Sequence, residues 1–333
     1  MSFAAPPTHR PGSSQLEPFW AGVAHAGCRL LGDTSESHGE LVRRFNRYHV
    51  PARMGEDRQL RLSLPQDDLP RLELRSHSRA YRYDDIAVSG PEWRRFVHVP
   101  HPSRRLLADT VLGQEAMLEV MPGYTRILRP ERWPLYALLA WHWLLLQDRS
   151  HCSIHAAVTA FQGTALVVIS STGTGKSTLA HALYSQGADY FSDEEAWFSL
   201  PSYQLYPLVK DLFLRPGGLE VLDLPDDGRS WHEVKPGDPK HVVRLPRPSH
   251  SCPEDNVRLI FLEGFAGRPE LRRMGGGEAS RLLFRHLGFG SAVPGERMAV
   301  AGALANRYPS YGLRVGAPGE TAALLLRQVA TLP

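Results

Sequence analysis

The stretch Ser170-Ser171-Thr172-Gly173-Thr174-Gly175-Lys176-Ser177-Thr178 holds the residue types that wrap a polyanion. It fits the pattern G-x-x-x-x-G-K-[ST] except at the first position, where Ser170 stands in place of glycine. Curling successive backbone N–H groups around an anion needs glycine where φ turns positive or where a Cβ would meet the ligand. Gly173 and Gly175 supply that. Lys176 is spaced to reach the β- and γ-phosphates of a nucleotide, and Ser177 to offer a hydroxyl to Mg²⁺. Residues Ser171 to Thr178 are therefore the expected cofactor-binding set, with ATP and Mg²⁺ as the cofactors. The apolar run LVVIS before the loop and TLAHAL after it predict a strand and a helix whose N-terminal dipole points at the anion.

A second group follows the helix. Asp193-Glu194-Glu195 interrupts an apolar stretch flanked by Tyr190-Phe191 and Ala196-Trp197-Phe198. One acid of such a group can hold a metal, and another can take a proton from an attacking hydroxyl. His155 lies alone in the apolar segment SIHAAV, where its spacing fits a core histidine as readily as a functional one.

The elements that must position these residues begin near Ser153. SIHAAVTAF and TALVVIS read as strands joined by a Gln162-Gly163 hairpin turn. The helix Lys176–Gln186 should stop at Gly187. A strand is expected over Tyr190–Leu200, another over Val209–Leu214, and an irregular loop or lid over Leu224–Asp255. A core strand RLIFL starts at Arg258, and two helices close the chain, near Gly277–Leu287 and Glu320–Ala330. Upstream, residues 1–15 are small, polar and Pro-rich and read as a flexible terminus. Residues 16–150 read as an α+β domain, with a helix in GELVRRF, short strands such as LRLSL, LELRS and FVHVP, and an apolar helix in WPLYALLAWHWLLL.

Composition excludes several classes. With 38 basic and 35 acidic residues the net charge is +3, which argues against a dedicated nucleic-acid partner. Cys28, Cys152 and Cys252 are too scattered for a zinc site or disulfide framework. The apolar run Trp133–Leu146 is shorter than the roughly 20 residues of a membrane span and includes His142. No signal sequence is read at the start, so a cytoplasmic setting without a membrane partner is expected.

From about residue 150 onward the chain resembles the catalytic domain of HPr kinase/phosphorylase, and still more the HPr kinase-related kinases. Four features carry this in order: Ile154-His155-Ala156, the loop Thr172–Ser177, GADYFSDE from Gly187 to Glu194, and the strand RLIFLEG. The resemblance implies an α/β P-loop kinase domain with a mixed sheet, similar to phosphoenolpyruvate carboxykinase, over residues 151–333, preceded by a smaller β-rich α+β domain. It implies catalytic roles for Asp193 as proton acceptor and for His155 beside it, with Ser177 and Glu194 serving the metal; Lys176 joins the expected catalytic residues through its place in the loop.

Three departures qualify the resemblance. Ser170 replaces the loop's first glycine, the second acid is Glu194 instead of aspartate, and Phe213 stands where the family has a glutamate before an Arg-Gly turn. Reverse phosphorolysis and HPr as substrate are accordingly not expected, and Lys210 and Arg215 remain candidate phosphate or substrate contacts. The expected activity is transfer of the γ-phosphate of ATP to a serine or other alcohol on a peptide, protein or small metabolite. The alternative is an ATP-binding regulatory or scaffold protein, or an ATPase without transfer. Oligomeric state is left open, a homo-oligomer included.

Overall fold

A computed structural model describes seven strands between residues 19 and 127, residues 38, 39 and 42, and residues 151–329 apart from 172, 201, 208, 226–230, 236–237, 247 and 290–293. The expected helix at Trp133–Leu146 and the strand in LELRS lie outside the described residues, as does the terminus 1–15; of GELVRRF only Gly39 and Val42 are described, both helical.

The first seven strands are β1 (Phe19–Val23), β2 (Ala26–Gly32), β3 (Gln59–Leu62), β4 (Phe96–Val99), β5 (Leu106–Asp109), β6 (Met117–Met121) and β7 (Tyr124–Ile127). They form one mixed sheet in the order β1-β2-β3-β7-β6-β5-β4.

The later part begins with β8 (His151–Phe161), β9 (Thr164–Ile169) and helix α1 (Lys176–Ser185), then β10 (Asp189–Ser192), β11 (Glu195–Ser199) and β12 (Leu205–Pro207). Next come β13 (Leu212–Leu214), the short helix α2 (Pro216–Val221), β14 (Trp231–Lys235) and β15 (Asp238–Val243). The chain continues through β16 (Val257–Phe265), β17 (Glu270–Arg273), α3 (Gly276–His286), β18 (Leu287–Phe289), α4 (Pro294–Arg307), β19 (Ser310–Val315) and α5 (Pro318–Val329). The class is mixed α/β. Nine strands make one mixed sheet, β12-β11-β8-β9-β16-β19-β17, with β10 and β18 also paired to β8. Strands β9, β16 and β19 run parallel at its centre. A separate sheet has the order β13-β15-β14.

Side-chain alternation explains the layering. Along β8 and β9, Ile154, Ala156, Val158, Val167 and Ile169 join one core with Ala279 and Leu283 of α3 and Ala301 and Leu304 of α4. The intervening Ala157, Leu166 and Val168 join a second core with Leu179 and Leu183 of α1 and Ala322 and Leu325 of α5. A strand buried on both faces must be apolar at both parities, and β9 is TALVVI throughout. Leu183 is fully buried, so Leu183→Ala would cost about 2–5 kcal/mol through lost burial and a residual cavity.

Three expectations need correction. The expected strand Tyr190–Leu200 is two strands, β10 and β11, broken at Asp193-Glu194. The expected loop Leu224–Asp255 contains β14 and β15, which pair antiparallel with each other, β15 pairing also with β13; this pairing compensates for the segment's Pro and Gly content. The chain ends with three helices and strand β19 among them; α4 escapes the sequence reading because its text, PGERMAVAGALANR, is rich in alanine and glycine. The hairpin turn is as expected: Gln162 and Gly163 both have positive φ, 47° and 76°, the twist-matched geometry for a two-residue connection.

Candidate functional site

The glycine loop leaves the C-terminal end of β9 and feeds α1. Gly173 and Gly175 have φ of 86° and 90°, the left-handed region where a Cβ is penalised. Gly175 is the N-cap of α1, and no side chain caps that terminus. The first-turn N–H groups therefore point into the loop without a side-chain acceptor. Thr174 braces the turn, its hydroxyl lying 2.6 Å from Ser170 Oγ and 2.7 Å from the Ser171 carbonyl. Ser170, the departure from glycine, is buried and takes part in this bracing. Ser171, Thr174, Ser177 and Thr178 all lie on the loop or the first turn of α1. Thr172 lies outside the described residues. At the helix's other end Gly187, φ 95°, turns the chain back. Its N–H and that of Ala188 donate to the carbonyls of Tyr184 and Leu183, a Schellman closure.

His155 reaches the loop by strand parity. Its neighbours Ile154 and Ala156 face α3 and α4, so His155 projects to the α1 face. There its Nε2 stands 3.1 Å from Lys176 Nζ and accepts a hydrogen bond from the ammonium. Lys176 also lies 3.4 Å from the Ser170 carbonyl and is only 6% exposed. Burial pushes its ammonium down to about 8, with Asp193 and Glu194 pulling the other way. Burial pushes His155 down to about 3, helped by Lys176. The imidazole is thus neutral at physiological pH.

The acids sit where the strand breaks. Strand β10 pairs with β8 through Tyr190↔Thr159 and Ser192↔Val158, β11 resumes at Glu195↔His155, and a register shift falls between Tyr190 and Ser192. Asp193 and Glu194 occupy the interruption, whose amides at Glu194 and Glu195 donate to Ser192 Oγ. Asp193 is 3% exposed and draws four donors: Ser177 Oγ at 2.9 Å, Phe213 N–H at 3.1 Å, Tyr190 OH at 3.2 Å and the Lys210 ammonium at 3.5 Å. Glu194 shares the Lys210 ammonium with Asp193 and is also paired, at 3.7 Å, with Lys240 of β15. Burial pushes the Glu194 carboxyl up, but the two lysines outweigh it and hold it well below the ordinary carboxylate range. Glu195 is held by Trp197 Nε1 at 2.9 Å.

Lys176, Ser177, His155, Asp193 and Glu194, distant in sequence, are thus gathered around the start of α1. Phe213 contributes its backbone N–H to the Asp193 carboxylate. Arg215, the N-cap of α2, brings Nη1 to 3.4 Å from where a Cβ on Gly173 would stand. Two residues were missed. Lys240 belongs to the stretch read as a loop, and only its pairing in β15 brings it near. His286 ends α3, where Lys176 and Arg285 reinforce the effect of burial in pushing it down to about 4. Nothing in its local text marks it.

No family model matches the chain. No curated protein matches it. Among the described residues no group of three or more His, Cys, Asp and Glu side chains forms a metal site, and no helix is long and apolar enough to cross a membrane. A phosphate-bound Mg²⁺ asks less, keeping waters and one or two protein oxygens. The Ser177 hydroxyl, on the first turn of α1, is a protein oxygen of that kind.

Proposed function

We propose that the chain is an ATP- and Mg²⁺-dependent phosphotransferase that moves the γ-phosphate to a hydroxyl, with a P-loop kinase domain of the HPr kinase-like type over residues 151–333. The observation that carries this is the contact of Ser177 with Asp193, 2.9 Å apart, at the mouth of a loop whose lysine is buried. It supports this reading by bringing a hydroxyl, an acid and a buried ammonium together at the start of α1.

Backbone amides of Gly173–Ser177 and the Lys176 ammonium would hold the phosphates. Ser177 would hold Mg²⁺, with phosphate oxygens and water completing its shell; the ion would supply charge neutralisation on the phosphates. Glu194, engaged by Lys210 and Lys240, is better suited to fixing those cations than to the metal. Asp193 takes the proton of the acceptor hydroxyl. Neutral His155 receives a hydrogen bond from Lys176 and keeps the ammonium aimed into the loop. Positioning and electrostatics supply most of the rate, as phosphoryl transfer requires. The acceptor is a serine or other alcohol on a peptide, protein or small metabolite.

A second reading, nucleotide binding without transfer, draws on the saturation of Asp193 by four donors. ATP consumption measured with and without an acceptor pool separates the two. Consumption that depends on acceptor supports the kinase; binding without consumption supports the regulatory protein, and consumption without acceptor an ATPase.

A further inference from the structure

Phe265 is 67% exposed, the most exposed large apolar side chain among the described residues. It ends β16, and its Cε1 and Cζ lie 3.8 and 3.9 Å from where a Cβ on Gly175 would stand. An aromatic ring therefore lies open at the lip of the glycine loop, on an element that contributes nothing to the acid cluster.

A bulge puts it there. The β16–β19 register slips between Leu262 and Gly264, which pair with Leu313 and Arg314, leaving Glu263 as the extra residue. Gly264 has φ 121°. A one-residue slip exchanges the two faces of a strand. Without it Phe265 would share the face of Phe261, toward α3 and α4; with it, Phe265 shares the face of Leu262 and α1. Arg272 holds the extra residue, pairing with Glu263 and, at 2.6 Å, with Glu278. Gly312 beneath leaves room for that carboxylate, because a Cβ there would fall 2.6 Å from it. Bulges of this kind re-aim a side chain beside a site.

The direction of a bound nucleotide follows from the sheet. Strand β8, with the acids between β10 and β11 beyond it, flanks β9 on one side, and parallel β16 and β19 flank it on the other. A triphosphate whose reacting end meets Asp193 must run its other end toward β16 and β19. Ligands of open parallel sheets lie in this crevice outside the carboxyl ends of the strands. We infer that Phe265 is the stacking platform for the nucleobase, on the nucleotide-binding reading given above. Stacking engages any π-face, so the platform holds adenine and guanine alike.

Calorimetric titration of the full chain with ATP, GTP and inorganic tripolyphosphate, each with Mg²⁺, tests this. Phe265→Ala should weaken ATP and GTP by about 5- to 100-fold and leave tripolyphosphate unchanged. Phe265→Tyr should restore nucleotide affinity. Unchanged ATP affinity in Phe265→Ala overturns the inference, as does an equal loss for tripolyphosphate, which would mark a role in loop structure. A wild-type chain that binds neither ATP nor tripolyphosphate overturns the nucleotide site itself.

Discussion

Lys176 Nζ stands 3.1 Å from His155 Nε2, so the loop's cation meets a neutral imidazole where an ion pair would have fixed its charge. The ammonium, pushed down to about 8 by burial, is only partly charged just above neutrality. A polyphosphate beside it favours the charged form. ATP binding at about pH 8.5 should therefore take up a fraction of a proton, and affinity should fall as pH rises through about 8. Calorimetry in two buffers of different ionisation enthalpy measures the uptake. Lys176→Arg should remove it, since a guanidinium stays charged. Uptake that survives Lys176→Arg would assign it elsewhere.

The same burial makes the fold acid-sensitive. His155 and His286 have folded values of about 3 and 4 against 6.5 when free. The unfolded chain binds their protons first, so their contribution is complete above about 6.5 and is lost as pH falls toward the folded values. Urea unfolding between about pH 6.5 and 5, above the main range of carboxylate titration, should show stability falling with pH. His155→Gln should flatten that slope. An unchanged slope would contradict the burial of a neutral His155.

Lys210 is buried against Glu194 and Asp193. Glu194→Gln should destabilise the protein by about 1–3 kcal/mol, because a buried ammonium loses a charged partner. Adding Lys210→Met should cost less than the sum of the two single changes, the sign of direct coupling. Chemical denaturation of the four proteins gives the cycle, and additive costs would deny the coupling.

Ser170 is the loop's departure from glycine, yet its carbonyl, not its side chain, faces Lys176. Ser170→Gly loses one braced hydroxyl from Thr174. ATP affinity should change by no more than about tenfold, the scale of one net hydrogen bond. A larger loss, seen by calorimetry, would make the serine a specific requirement of this loop.

Much of this site is legible in the chain's text, and the exceptions share a cause. The glycine loop, the hairpin at Gln162-Gly163 and the stop at Gly187 are local, set by backbone conformations only glycine adopts easily. The break at Asp193-Glu194 is not local. Residues Tyr190–Leu200 read as one strand because aromatic residues flank the acids on both sides, and where the strand breaks is set by register against β8. Lys240 and His286 reach the site through pairing and packing across long sequence separations, and the flip of Phe265 depends on a bulge defined by β19.

The most direct test of the central claim is transfer from γ-labelled ATP into a cell extract, with products separated by size, for the wild type, Lys176→Ala and Asp193→Asn. The account predicts a labelled phosphoester with the wild type and none with Lys176→Ala. It predicts a loss of at least about 100-fold with Asp193→Asn, the scale of a missing proton acceptor, while that variant still binds ATP. A wild type that binds ATP yet labels nothing, or an Asp193→Asn variant that labels the same product at full rate, would contradict it.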